Sequence, residues 1–414
     1  MRNNSTIPWM SIGVALASAV GIYFVPAFSW LFLAVLLLNL LVSIVFSKRY
    51  SPTALTVCRL LVGALFIFSS FTKGVDPLGT KYKMLDYLAV YGMTWLNDFA
   101  LVLAMLMILA EFIVGICLIT KIFPRLAVLG ATLLMLFFTT TTLFDALYDL
   151  VPDCGCFGTA IKMSNWQTFY KNLVIDAVLI PLIFNNKLLK SKLSKSTQFI
   201  IGCLYALAFL GFELYNYRHL PVVDFMNWKV GKQLTTGTTE ESKIYLTYRN
   251  KATGETKEYL SPKYPWNDSV WMSQWEFVDQ RVEGGANFLG FSALDEDGND
   301  VTENILTTEN LLMFTSHDLT KVTEKEWEKI REITEAVEKH DFTVVWTVAD
   351  EPEYVEQLRE KYDFLYEVYY ADELEIKPIV RSNPGLIWLD NGLVKDKWSA
   401  VDFPQRKKLE KLFK

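Results

Sequence analysis

Seven apolar runs of membrane-spanning length decide what this chain can become. They fall at roughly 8–25, 27–46, 53–71, 99–120, 126–144, 168–185 and 198–216, close to the about 17–25 residues that a helix needs to cross a bilayer. Hydrocarbon offers no water to an open backbone, so such runs are satisfied only as helices. The first half is therefore expected to be a membrane all-α bundle. Pro26 divides residues 8–46 into two spans, because helices end at or before the residue preceding a proline. Small residues around Ala15-Leu16-Ala17-Ser18-Ala19 suggest a secretory signal peptide, but no polar region follows them, so a retained anchor is the expectation.

Charge separates the two halves. Residues 1–216 carry 15 Lys+Arg against 9 Asp+Glu, and residues 217–414 carry 25 against 37. The second half alternates short apolar runs with charged, helix-periodic ones, as a soluble domain does. Its acidity repels phosphate and excludes nucleic acid as a partner. Lys48, Arg49, Lys121, Arg125, Lys187, Lys190, Lys192 and Lys195 fall on one side of the seven spans, with Arg2. Lys73, Lys81, Lys83 and Lys162 are on the other side, in longer loops. The richer side is expected to be cytoplasmic. A bacterial cytoplasmic (inner) membrane protein follows, multi-pass in the lipid membrane, with a cytoplasmic N-terminus and a periplasmic C-terminal domain.

That orientation sorts the five cysteines. Cys58, Cys117 and Cys203 fall near the inner ends of their spans, where they are expected to be buried, small apolar side chains. Cys154 and Cys156 sit at the outer end, in Asp153-Cys154-Gly155-Cys156-Phe157-Gly158, where disulfides form and persist. Cysteines at i and i+2 close only a small ring, and strained disulfides are readily exchanged. Gly155 permits the backbone angles such a ring needs. A redox-active pair, a structural disulfide and two unpaired thiols all remain open from these residues alone.

Ionisable residues inside the spans require an account, since each costs about 2.5–3.5 kcal/mol at the bilayer centre. Arg59, Gly63, Ser70 and Lys73 share one helical face. Glu111 has Ala104 and Gly115 on its side, and Asn172 and Asp176 share a face beside Thr168. Lys171 lies near the outer end of its span. An Arg59–Glu111 ion pair fixing the bundle is one reading; a polar interior serving the thiols is the other. Thr139-Thr140-Thr141-Thr142, one turn before Asp145, either lines a wet path or bonds back to its own helix.

From about 53 to 185 these residues resemble the DoxX-like superfamily, in the branch of the methylamine-utilisation protein MauE. The likeness rests on Cys58-Arg59-Leu60-Leu61-Val62-Gly63, Phe71-Thr72-Lys73-Gly74 with Asp76-Pro77, Glu111 with Gly115, the Cys154-Gly155-Cys156-Phe157-Gly158 loop, and Lys171-Asn172 before Asp176. The resemblance implies a redox-associated protein with a four-helix core, similar to quinone-linked disulfide-forming membrane proteins. A membrane quinone is the cofactor it implies.

The tail has two parts. Residues 217–305 are expected to form a β-rich connector, with a hairpin through Lys251-Ala252-Thr253-Gly254-Glu255. Trp266, Trp271 and Trp275 belong either to a small β-rich core or to the membrane interface. Residues 306–414 read as strand 310–315, helix 322–340, strand 342–348, helix 351–361, strand 365–370 and a short helix at 371–376. A hairpin through Asp390-Asn391-Gly392 and a helix from about 404 complete the series. This order resembles an α/β thioredoxin-like domain, with Pro384 where that family carries its cis-proline. Ser316-His317-Asp318-Leu319 stands where the family's C-x-x-C pair would be, and no cysteine follows Cys203. His317 reads as a base or, more plainly, as a solvated residue at a helix start.

The domain expectation is thus an N-terminal hairpin at 1–50, a DoxX/MauE-like bundle at 51–216, the connector and the thioredoxin-like domain. The functional expectation is thiol–disulfide exchange at Cys154 and Cys156 with an extracytoplasmic protein partner. The alternative is a non-enzymatic membrane assembly or docking protein that binds partners through its degenerate tail. Soft C-x-C thiolates also suit Cu(I). Only three His accompany them, without a Met-rich loop, so no metal is expected.

Overall fold

The computed structural model describes residues 6–24, 29–151, 154–234, 243–261, 263–265, 268–283, 291–337, 340–364 and 366–405. The chain divides into two compact units, Met1–Tyr217 and Arg218–Lys414.

The first unit is helical: α1 Thr6–Gly21, α2 Trp30–Val45, α3 Pro52–Gly74, α4 Pro77–Val90, α5 Ala100–Thr120, α6 Pro124–Tyr148, α7 Asn165–Phe184 and α8 Lys195–Arg218. Start signals fix several of these. Ser51 caps α3, with Pro52 at its first position, and Ser164 with Gln167 closes a capping box on α7. Helices form over all seven predicted runs, but α3, α5 with its preceding turn, α6, α7 and α8 are the five long and apolar enough to cross a membrane. The seven-span expectation narrows accordingly. α1 and α2 are apolar but have 16 residues each, about 24 Å against a hydrocarbon core of about 30 Å. Pro26 lies outside the described residues.

Large apolar side chains point outward from these helices, Leu31, Leu136 and Leu207 among them, as a bilayer-covered surface requires. Small residues face inward. A Cβ added to Gly63 would lie 2.9 Å from the Gly115 carbonyl, and one added to Gly115 would lie 2.9 Å from the Gly63 carbonyl. α3 and α5 therefore approach backbone to backbone, as small residues allow between membrane helices.

Hydrogen bonds gather the basic loops at one end of this unit. Asn185 donates to the Ser47 carbonyl at 2.8 Å, and Arg125 to the Lys187 carbonyl at 3.2 Å. Cys58 and Cys117 are buried as expected. Cys203 is not: it stands exposed on the outward face of α8, so the expectation of burial is corrected there.

The second unit holds two sheets. In the smaller, β1 Lys243–Asn250 lies between β2 Thr256–Leu260 and β3 Trp275–Glu283, all antiparallel. The expected hairpin joins β1 to β2. With α9 Ser269–Gln274, the sheet encloses Leu246, Tyr248, Tyr264 and Trp275, with Trp271 packed against them. Trp271 and Trp275 thus belong to a small aromatic core; Trp266 lies outside the described residues.

The larger sheet follows α10 Thr302–Thr307. Its elements are β4 Leu311–Ser316, α11 Glu324–Val337, β5 Thr343–Val348, α12 Pro352–Tyr362, β6 Glu367–Tyr370, α13 Glu373–Ile376, β7 Gly385–Asp390 and β8 Leu393–Ser399. The strand order is β6-β5-β4-β7-β8, with β4, β5 and β6 parallel and β7 and β8 antiparallel to their neighbours. Alternation along β4 explains its central place. Leu312 and Phe314 enter one apolar core with Trp327 of α11, while Leu311 and Met313 enter the core on the opposite face. The turn from β7 to β8 puts Asn391 and Gly392 at φ 47° and 74°, the conformation that makes Asn-Gly a strong hairpin signal. Residues 406–414, where the last helix was expected, lie outside the described residues.

Candidate functional site

The loop after α6 brings its two thiols together. Cys154 Sγ and Cys156 Sγ are 3.0 Å apart, about 1 Å more than a disulfide bond. The turn that does this uses Gly155 and Gly158 at φ 62° and 54°, and the Gly158 amide donates to the Gly155 carbonyl at 2.9 Å. Gly158 is also pressed against α3, where an added Cβ would lie 3.0 Å from the Thr72 carbonyl.

α3 and α5 supply the polar floor. Lys73 Nζ and Glu111 Oε1 form a buried ion pair at 2.5 Å, with side chains only 6% and 1% exposed. Ser69 Oγ stands 2.8 Å from Glu111 Oε2 and 2.9 Å from the Cys156 carbonyl, so it ties the ion pair to the cysteine backbone. The expected Arg59–Glu111 pair does not form. Arg59 instead donates to the carbonyls of Leu118 and Ile119, the latter at 2.7 Å. These belong to the last turn of α5, whose carbonyls have no helical partner and attract a cation.

α7 supplies the second cation. Lys171 Nζ lies 4.7 Å from the Phe157 ring centre, and its charge favours the ionised form of Cys156. The thiols divide the charge unequally. The hydrogen bond from Cys154 holds Cys156 well below the ordinary thiol range, helped by the Lys171 and Lys73 charges. The same hydrogen bond, together with burial, pushes Cys154 well up. The pair is thus biased toward ionisation at Cys156, and the thiolate is the nucleophile in disulfide exchange.

Other expected residues are placed apart from this cluster. Asp176 accepts from Thr139 at 2.8 Å, and Asn172 donates to Thr142 at 3.0 Å, joining α7 to α6. Thr140, Thr141 and Thr142 bond back to their own helix, so the threonine run is mainly self-satisfied. In the second unit, Asn383 Oδ1 accepts from Ser316 Oγ at 2.8 Å and from the His317 amide at 2.9 Å. The Asn383–Pro384 peptide is cis. His317 is half-buried rather than solvated, and it precedes α11 by a short turn, Leu319–Lys321. Burial and then Lys377 push its pKa down to about 4, which makes it a weak base.

Sequence reading missed α4 and its Tyr87. Tyr87 donates to Asp145 Oδ2 at 2.6 Å. The available signal was Asp76 followed by Pro77: Asp76 caps α4 by accepting from the Gly79 amide at 2.9 Å.

The cluster lies inside a segment that has known relatives. Residues 51–185 match the family model of the methylamine utilisation protein MauE. No curated protein and no solved structure matches the chain. The MauE match begins at Ser51, the cap of α3, and ends at Asn185, the cap of α7. It contains Cys154, Cys156, Lys73, Glu111, Lys171, Tyr87 and Asp145. Together with the five spanning helices, it marks the first unit as a multi-pass membrane domain. Among the described residues, no group of three or more His, Cys, Asp or Glu is arranged to hold a metal ion.

Proposed function

We propose that the MauE-like segment carries out thiol–disulfide exchange at Cys154 and Cys156, on the extracytoplasmic side of a bacterial cytoplasmic membrane. One observation carries the reading: two sulfurs at 3.0 Å, with the Lys171 and Lys73 charges favouring the ionised form of Cys156. Basic loops gathered at one end of the bundle support the orientation, because cytoplasmic loops are enriched in Lys and Arg.

Cys156 thiolate attacks one sulfur of a partner disulfide and releases the other partner sulfur as a thiolate. Cys154 loses its proton and attacks Cys156, freeing the second partner sulfur and leaving Cys154 and Cys156 joined. Two electrons pass to the partner; run backwards, the same steps oxidise it. In that reverse direction the electrons leave to a lipid-soluble acceptor of the quinone class, which takes up two electrons and two protons. Phe68 and Phe157, with ring centres 5.3 Å apart beside the thiols, offer such an acceptor an aromatic face.

The second unit favours a docking role beside this chemistry. Its parallel β4-β5-β6 and antiparallel β7-β8 support a thioredoxin-like reading, but no cysteine follows Cys203. Should the outer pair prove redox-inert, that unit would leave a protein that holds partners without acting on them.

The two cysteine variants test the assignment. Cys154→Ala is expected to accumulate mixed disulfides between Cys156 and an extracytoplasmic protein, because the resolving thiol is gone. Cys156→Ala is expected to accumulate none. Non-reducing electrophoresis after acid quenching reads both. The reverse pattern would exchange the roles of the two thiols.

A further inference from the structure

Eight cations stand at one end of the first unit without a counter-charge. They come from residues 46–51 between α2 and α3, residues 120–126 from the end of α5 into α6, and residues 185–198 from α7 into α8. No Asp or Glu occurs in these stretches. All eight side chains are exposed, and among the described residues none of them forms an ion pair. Hydrogen bonds fix the stretches to one another. Besides the Asn185–Ser47 and Arg125–Lys187 bonds, the Phe123 amide donates to Gln198 Oε1 at 2.7 Å, and Gln198 Nε2 donates to the Leu193 carbonyl at 2.8 Å. Like charges held at one end repel, and an anion from outside relieves them.

The surroundings select the anion. Leu126, Leu188 and Phe199 lie in or beside these stretches and are 63%, 65% and 65% exposed. A hydrated anion such as free phosphate or RNA leaves that apolar surface bare. A molecule with an anionic head and acyl tails covers both parts. α8 extends the apolar part further. Gln198 is buried at its start, but none of its residues from 199 to 208 is, and Ile201 and Tyr205 reach the bundle only half-buried. A Cβ added to Gly202 would meet no atom within 4 Å. Protein packing thus leaves this half of α8 largely uncovered.

We propose that this end of the first unit is a docking surface for the phosphodiester headgroups of anionic bilayer phospholipids, whose acyl chains cover the adjoining half of α8. Lys187, Lys190, Lys192 and Lys195 lead into α8 and hold the phosphates. Arg125 stands with them through its bond to the Lys187 carbonyl. Basic residues at a membrane surface each add to the attraction for anionic lipid, so four on one connector make a strong preference. The inference does not depend on the exchange reading.

The test offers the full chain, in a neutral detergent, equal amounts of phosphatidylglycerol and phosphatidylcholine with the same acyl chains. Bound lipid is counted by native mass spectrometry. Phosphatidylglycerol is expected to exceed phosphatidylcholine about ten-fold, well within what several basic contacts supply. The variant Lys187→Gln/Lys190→Gln/Lys192→Gln/Lys195→Gln should bring the two lipids within about two-fold of each other. Lys81→Gln/Lys83→Gln, on α4, should leave the preference as it was. Salt provides an arm that needs no variant: raising NaCl from about 0.05 M to about 0.5 M should weaken the preference of the unmodified chain at least about three-fold, because it screens exposed charge. Glycerophosphoglycerol, the same headgroup without acyl chains, should not displace the lipid. Equal binding of the two lipids by the unmodified chain overturns the inference, as does a preference that survives high salt or the four-lysine variant. An equal loss in the α4 variant also overturns it, because the attraction is then not local to this end. Displacement by glycerophosphoglycerol or by a short single-stranded RNA at the lipid's own concentration assigns the surface to a soluble anion instead.

Discussion

Replacing Lys73 by Met is expected to damage the protein twice over. Lys73 and Glu111 are paired at 2.5 Å inside the bundle, so the substitution leaves Glu111 as an uncompensated buried carboxylate. Breaking one side of such a pair costs about 3–5 kcal/mol, whereas replacing both sides by apolar groups is often neutral. The double variant Lys73→Met/Glu111→Leu should therefore recover most of the lost stability, read as the thermal unfolding midpoint of the detergent-solubilised chain. It should not recover the exchange rate. Lys73 also contributes charge to the Cys156 thiolate, and Ser69 loses the carboxylate that it shares with the Cys156 carbonyl. Restoration of both stability and rate in the double variant would show that the ion pair serves packing alone.

The pH profile of Cys156 should depart from that of an ordinary thiol by a comparable margin. Its pKa is pulled well down by the hydrogen bond from Cys154, with the Lys171 and Lys73 charges adding to it. An unperturbed thiol near 8.5 is almost wholly protonated at about pH 6, so the thiolate fraction of Cys156 there is much higher. Alkylation of Cys156 by iodoacetamide should accordingly stay level from about pH 8 down to about pH 6, then fall as the thiolate takes up its proton. Lys171→Met removes one cation and should move that fall to higher pH. A profile that rises steadily up to about pH 8.5 in the unmodified chain would contradict the assignment of Cys156 as the attacking thiol.

Much of this site was legible before any coordinate, and the exceptions have physical causes. Hydropathy located the long helices, and the two-cysteine loop announced itself by glycines that the turn requires at φ 62° and 54°. Periodicity correctly turned Arg59, Lys73 and Glu111 inward, as their burial shows. It mispaired them, because a helical face gives a direction and not a depth. Arg59 lies level with the end of α5 and satisfies its carbonyls, which leaves Lys73 for Glu111. Cys203 misled for a similar reason: an apolar span has an outward side that composition does not distinguish from its inward one. α4 escaped notice because it is too short and polar to register as a span, so its Tyr87 went with it. In the second unit, turn chemistry at Asn391-Gly392 and the alternation along β4 carried the reading further than any single motif did.

The redox potential of Cys154 and Cys156 tests the central claim most directly. Membranes holding the Cys203→Ala chain would be equilibrated with dithiol–disulfide buffers over a range of potentials. Thiols still free would then be counted with a maleimide mass tag. A stabilised thiolate favours the reduced form and raises the potential, so a two-electron transition above about −300 mV is expected. A pair that stays oxidised well below that potential is a structural bridge, and electron transfer at this loop would be ruled out.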